Sequence, residues 1–416
     1  MAKRDFLKRL GPGIVTGAAD DDPSGIGTYT SVGASAGYGF LWSALWLLPF
    51  AYFVQESCAR IAFVTGQGLA SVIKSKLPKW VLVLAVLLVS IANTVNIAAD
   101  LSIMSAALGL IFPIENWFGV VLFALLLGFT EIVIPYHRYA KVLRWLCLSL
   151  LAYVAVLFVA QVDWQQVAIS TVIPSFDFSR MSFELLIALA GTTISPYLFF
   201  WQAAEEVEER KHFKQPAVRT TDISAMRGDV FAGMFAGVFI MFSIMATAAA
   251  TLNASGITKV ESAADAALAL KPIAGEFASL LFLLGILGVG LLSIPVLAGA
   301  TAYAVAETFG WRESLELKPR QAKAFYGVIV VSMAVALLLN LGGIEPVNFL
   351  LIAATLNGLT APVLMAIIWW LARDKNLLGI WASNRISQTM LGIATLGMGS
   401  LPRGFTVEIE AIVEFE

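Results

Sequence analysis

The sequence predicts an all-α polytopic membrane protein of about eleven helices, and three observations predict it. Of the 416 residues, 59% are hydrophobic and only 13% are charged, where a soluble domain carries about 25% charged residues. Apolar stretches long enough to cross a bilayer, about 20 residues each, recur from residue 13 to residue 401. The loops between them alternate in charge: 22 of the 27 Lys and Arg residues fall on one side and only Arg180, Lys259 and Lys271 on the other. That asymmetry places the N-terminus in the cytoplasm, and one missed span would scramble it.

Spans are expected at 13–37, 41–65, 80–112, 117–135, 139–162, 181–207, 228–252, 275–306, 322–341 and 346–372. A short, Gly-rich eleventh follows near 387–402, and the end, 403–416, is polar. The whole of 1–402 reads as a single transmembrane transport domain, with one repeat over about 11–162 and a second over about 181–372. The first and sixth spans are not ordinary helices. The first, GPGIVTGAADDDPSGIGTYTSVGASAGYG, sets Asp20, Asp21, Asp22 and Pro23 at membrane depth. The sixth, LLIALAGTTISPYLFFWQAAEEVEE, sets Gly191, Thr192, Thr193, Ser195 and Pro196 at mid-span. Proline removes a backbone donor and obstructs the preceding turn, so both spans should break there. They lie five spans apart and so occupy matching places in two inverted five-helix repeats, the sequence mark of a transporter site. Unpaired backbone must face a cavity and not lipid.

Composition excludes other classes. The formal net charge is −2 and the basic residues are scattered in short loops, so no nucleic-acid partner is expected. Cys58 and Cys147 fall in separate apolar spans, without disulfide or zinc spacing. No cleavable signal peptide is expected, since the basic residues from Lys3 to Arg9 lead into the aspartate run. His137 and His212 sit in loops, and no His or Cys cluster or nucleophile motif supports an enzyme. Runs such as GILGVG are close-packing surface and not phosphate loops, because no strand precedes them. No cofactor and no obligate protein partner are expected; the partner that the composition implies is the lipid bilayer.

Asp22 leads the candidates, because a carboxylate at membrane depth is costly and by default functional. Asp20 and Asp21 read either as a wet vestibule or as the ion's surroundings. Thr192, Thr193 and Ser195 offer hydroxyl and carbonyl oxygen, although threonine in a membrane helix also bonds back to the previous turn. Glu56 and Glu131 read as partners of Arg60 or Arg138. Asp100 reads either as structural or as part of the pathway. Asn357 and Thr360 face the choice between the ion's water shell and a helix–helix hydrogen bond. Glu205, Glu206, Glu208 and Glu209, beside Arg210 and Lys211, read as a solvated face or as a cation exit vestibule.

These residues resemble a known family. GPGIVTGAADDDPSG is similar to the first helix of Nramp divalent-metal transporters, where a DPGN motif supplies the metal aspartate. GYGFLWSALWLLPFAYFVQESCARIAFVTGQGLASV, with Gln55 and Arg60, resembles their second helix. ALAGTTISPYLFF resembles their sixth, where a small-residue run ends in Met-Pro-His. The resemblance implies a LeuT-type fold and divalent-cation transport, with Asp22, Gly25, Thr192, Thr193 and Ser195 at the ion. It also departs from the pattern: the asparagine falls on Gly25, the methionine on Ser195 and the histidine on Tyr197. In NIAADLSIMSAA, Asp100 matches a family aspartate but the glutamate three residues on is Ile103.

Thioether sulfur favours softer transition ions, whereas carboxylate, carbonyl and water suit Mg²⁺ and Mn²⁺. Mg²⁺ dehydrates reluctantly and is held by one or two carboxylates. Those features resemble the Nramp-related magnesium transporter branch, which implies Mg²⁺ and Mn²⁺ import by alternating access without obligatory proton coupling, in a bacterial inner membrane. The alternatives are a proton-coupled Mn²⁺/Fe²⁺ transporter and, on the same fold, a sodium-coupled organic solute symporter.

Overall fold

The computed structural model describes residues 11–134, 150–212, 218–260, 262–342 and 346–400. Arg138, Lys141, Arg144, Lys214, His137, Cys147, the stretch Lys3 to Arg9 and the polar end 403–416 lie outside the described residues. So does the start of the fifth expected span, 139–162. Among the described residues the chain is helical, with no strand.

The first span is two half-helices, α1 (Pro12–Asp20) and α2 (Pro23–Ala36). Three long helices separated by a short one follow: α3 (Trp42–Thr65), α4 (Leu69–Lys76), α5 (Lys79–Gly109) and α6 (Asn116–Val133). The described part of the fifth span is α7 (Leu151–Val159), and α8 (Trp164–Val172) leads to the second half. There the sixth span divides into α9 (Arg180–Thr193) and α10 (Pro196–His212). The chain continues as α11 (Thr220–Thr251), α12 (Ala278–Phe309), α13 (Lys323–Leu341), α14 (Pro346–Ala372) and α15 (Arg385–Ser400).

Eight described helical spans are long and apolar enough to cross a membrane, the sixth counted across its break as Arg180–Lys211. The other three expected spans fall short for plain reasons. The first is cut into halves of 9 and 14 residues, the fifth is described only from residue 150, and the last has 16 residues.

Both breaks occur where the prolines place them. Pro23 and Pro196 each take the first helical position, where the missing N–H costs nothing. The residue before a proline is steered out of the helical region, and Asp22 is extended at φ −69° and ψ 168°.

The break-bearing helices sit inside the bundle. α1 and α2 pack on α11, α5 packs on α12 and α14, and α9 packs on α14. The α1–α11 crossing is close because both helices offer glycine at four-residue spacing, Gly13 and Gly17 against Gly233 and Gly237. A Cβ on Gly17 would overlap the carbonyl of Gly233, and a Cβ on Gly233 the carbonyl of Gly13. Gly290, in the GILGVG run, likewise packs against Met104 and Pro23, as the close-packing reading expected.

The outer surface is apolar where lipid would lie. Phe231, Phe235 and Phe239 form a stacked stripe along α11, and Phe129, Phe158 and Leu338 are exposed elsewhere. Exposed Trp80, Trp117 and Trp164 stand near helix ends, the place of interfacial aromatic belts.

Candidate functional site

The N-terminus of α2 organises the site. A helix start leaves backbone donors without intrahelical partners, and two carboxylates satisfy them here. Asp22 caps the helix: its Oδ1 accepts from the Gly25 amide at 2.6 Å and the Ser24 hydroxyl at 2.7 Å. Asp100, on α5, accepts from the Ser24 amide at 3.2 Å and from the Ser293 hydroxyl of α12 at 3.1 Å. The positive end of the half-helix dipole stabilises both anions. Asp100 therefore ties three helices together at the break.

Gly25 leaves the space beside Asp22 free of a side chain: a Cβ there would stand 3.3 Å from Asp22 Oδ1 and 3.4 Å from the Tyr29 ring. Tyr197, at the histidine position of the resemblance, donates its hydroxyl to the Ala19 carbonyl at 2.8 Å. That bond joins the start of α10 to the end of α1 and so brings the two breaks together. Ile103 is buried and faces α2 near Gly27, an apolar contact where the resemblance has an acid.

At the second break the hydroxyls turn to the backbone. Thr192 donates to the Ala188 carbonyl at 2.8 Å, Thr193 to Leu189 at 2.7 Å and Ser195 to Thr192 at 2.8 Å. Their remaining lone pairs are what they offer an ion. Thr193 also meets the thioether of Met241 on α11 at 3.1 Å.

Asn357 and Asn96 exchange amide hydrogen bonds at 3.1 and 3.3 Å, one turn along α5 from Asp100. Of the two readings for Asn357, the helix–helix bond is the one made. Thr360 is buried in the next turn of α14.

Asp20, Asp21, Asp22 and Asp100 are all buried, and among the described residues none forms an ion pair with Lys or Arg. The described residues also contain no cluster of three His, Cys, Asp or Glu side chains able to cage a metal. An ion here would rely on few carboxylates, backbone oxygen and water.

The expected Glu56–Arg60 pair forms at 2.9 Å, and Arg227 joins Glu56 from α11 at 2.8 Å. Arg60 is fully buried and also donates to the Trp381 carbonyl and the Ser383 hydroxyl. Glu131 has neither expected partner among the described residues: both its carboxylate oxygens are buried without a hydrogen bond, and Arg138 lies outside them.

Among the glutamates of α10, Glu206 corrects the sequence reading of a solvated face. Glu206 is buried and accepts from Gln202 at 2.9 Å, and Glu205, Glu208 and Glu209 are half-buried. Glu208 accepts from Ser314 at 2.9 Å in the loop after α12. α10 runs between α3 and α12, which buries Glu206 and covers the other three acids in part. Burial and the neighbouring Glu208 hold Glu313, in that loop, up at about 7, against the pull of Lys211.

Sequence reasoning missed Ser24, Tyr29, Ser293, Met241 and Gly237. Only Ser24 carried a signal, its place beside the Asp-Pro motif. The others arrive from elsewhere in the chain or are set by helix rotation.

A family model described as natural resistance-associated macrophage protein-like (Nramp) matches residues 13–408. The manganese transporter of Eremococcus coleocola, solved with an aromatic bis-isothiourea substituted compound, matches with a TM-score of 0.75 at 17% identity. That match covers 96% of this chain and 86% of that one. Mhp1, a nucleobase-cation-symport-1 family transporter closed around bromovinylhydantoin, gives 0.56 at 13% identity over 96% and 93%. A Na⁺-coupled sialic acid symporter in a substrate-bound outward-open state gives 0.50 at 12% over 95% of each chain. At such identities these structures carry the fold, which is the LeuT type with inverted repeats and broken first and sixth helices. The family model spans nearly the whole chain, and the chain belongs to the Nramp family of divalent-metal membrane transporters.

Proposed function

We propose that this transporter imports Mg²⁺, and Mn²⁺ as well, by alternating access without obligatory proton coupling, as in the Nramp-related magnesium transporter branch. One observation carries the reading: Asp22 caps the broken first helix while the small residues Gly25 and Ser195 stand where the wider family has asparagine and methionine. A carboxylate with small neighbours leaves room for the water that Mg²⁺ is slow to shed. In this reading Asp22 binds the ion directly or through water, with oxygen from Thr192, Thr193 and Ser195. Asp20, Asp21, Asp100 and Tyr197 line the pathway, and Asn357 and Thr360 lie beside it. Residues 11–162 and 181–372 form the two repeats. The charge asymmetry of the loops supports a cytoplasmic N-terminus in a bacterial inner membrane.

The test is a flux titration of Mg²⁺, Mn²⁺, Ca²⁺ and Cd²⁺ into liposomes carrying both a metal indicator and a lumenal pH dye. Tyr197 and Ile103 replace the two proton-handling positions of the resemblance, and tyrosine ordinarily titrates only near pH ~10. An inward Mg²⁺ or Mn²⁺ gradient should move the ion without acidifying the lumen. Uptake should respond to membrane potential, worth about 2.3 kcal/mol per charge per 100 mV. Metal-dependent acidification that disappears in an inactive variant would reject uncoupled transport.

A second reading, a proton-coupled Mn²⁺/Fe²⁺ transporter, is favoured by one contact, the Met241 thioether beside Thr193. Ser195→Met addresses both readings, since it adds a sulfur at the break and displaces ion-bound water. Cd²⁺ and Mn²⁺ binding should strengthen relative to Mg²⁺ by about tenfold, a difference of about 1.4 kcal/mol. An unchanged ion preference in calorimetry would remove Ser195 from the site.

A further inference from the structure

The four buried aspartates at the breaks carry four formal negative charges, and among the described residues no basic side chain pairs with them. One divalent ion at Asp22 offsets half of that charge. The four are not equivalent. Asp22 and Asp100 are engaged by backbone and hydroxyl donors. Asp20 and Asp21 are each only 3% exposed, and each keeps an Oδ1 with no hydrogen-bond partner. Leaving such groups unpaired at membrane depth is costly.

Their other oxygens converge on one place. Where a Cβ of Gly237 would stand on α11, Asp20 Oδ2 lies 3.7 Å away, Asp21 Oδ2 3.8 Å and the Gly17 carbonyl 3.1 Å. The absent side chain leaves a space no larger than a Cβ would fill, bordered by three hard oxygens. Gly17 belongs to the last turn of α1, whose carbonyls lack intrahelical partners and form the negative end of the dipole.

We propose a second divalent-cation position here, held by Asp20, Asp21 and the Gly17 carbonyl opposite Gly237, on the α1 side of the break. It is separate from the Asp22 position on the α2 side and forms the next station on the ion's path. Carboxylate and carbonyl oxygen select hard ions such as Mg²⁺, Mn²⁺ and Ca²⁺. Two such ions balance the four aspartates. Repulsion between them separates their affinities, so they bind in two steps. The inference rests on the reading of the chain as a divalent-cation carrier with Asp22 as its first ligand.

Calorimetric titration of the purified full chain with Mn²⁺ tests it, using wild type, Asp22→Ala and the double variant Asp20→Asn/Asp21→Asn. Wild type should bind two ions in two steps, and each variant should bind one. A wild type that binds one ion, with the double variant giving the same isotherm, overturns the second position and leaves Asp22 intact. One bound ion accompanied by proton release that the double variant lacks also overturns it, since protons then occupy the pair. If Asp22→Ala keeps both steps, the Asp22 reading fails while the second position stands. Should the double variant not fold, the wild-type stoichiometry alone decides, because a single ion rejects the proposal.

Discussion

Asp22→Ala should abolish saturable Mg²⁺ and Mn²⁺ uptake in proteoliposomes while leaving a protein that purifies and elutes as wild type does. Asp22 has two duties that the substitution removes together. It caps α2 through Gly25 and Ser24, and in the proposed function it is the anionic ligand beside the break. Loss of an N-cap costs about 0.5–2 kcal/mol, and Asp100 still holds the Ser24 amide. The fold should therefore survive. Asp22→Asn separates the duties, because asparagine caps as well as aspartate but carries no charge. It should melt close to wild type and still lose uptake. Near-normal Mn²⁺ flux in either variant, normalised to reconstituted protein, would dismiss Asp22 as the ligand.

Gly17→Val should lower the melting temperature of the detergent-solubilised protein by several degrees and eliminate transport. A Cβ at Gly17 meets the backbone carbonyl of Gly233, which has no rotamer with which to retreat. Overpacking typically costs about 1–3 kcal/mol and occasionally more, and a clash against backbone belongs at the upper end. Relief requires α1 to draw away from α11, which carries Asp20 and Asp21 away from Gly237 and strains the Tyr197 bond to Ala19. Gly128→Ala is the control, since nothing lies within 4 Å of a Cβ there. Equal melting of the two variants would show that the α1–α11 crossing is not as tight as described.

Much of the architecture was legible because it depends on local properties of the chain. The span limits follow from the apolar length that a bilayer imposes, as in α3, α5 and α13. The breaks follow from the covalent geometry of Pro23 and Pro196, which acts on the adjacent residue wherever the helix is packed. Asp22 could be singled out because a carboxylate at membrane depth is costly and by default functional. The Glu56–Arg60 pair was legible for a similar reason, being one helical turn apart.

The tertiary structure decided what depends on helix rotation and on partners far along the chain. Asp100 bonds Ser24 and Ser293, 76 and 193 residues away, and periodicity in α5 does not name either one. Charge density suggested a wet face for the α10 glutamates, but the packing of α10 between α3 and α12 buried Glu206. Sequence marked Asp20, Asp21 and Asp22 as one run. Pro23 already sets Asp22 apart as the start of a new helix; only the crossing of α1 with α11 shows that Asp20 and Asp21 close the old one against Gly237. A proline fixes where a helix stops; the surfaces it meets fix which way its last side chains point.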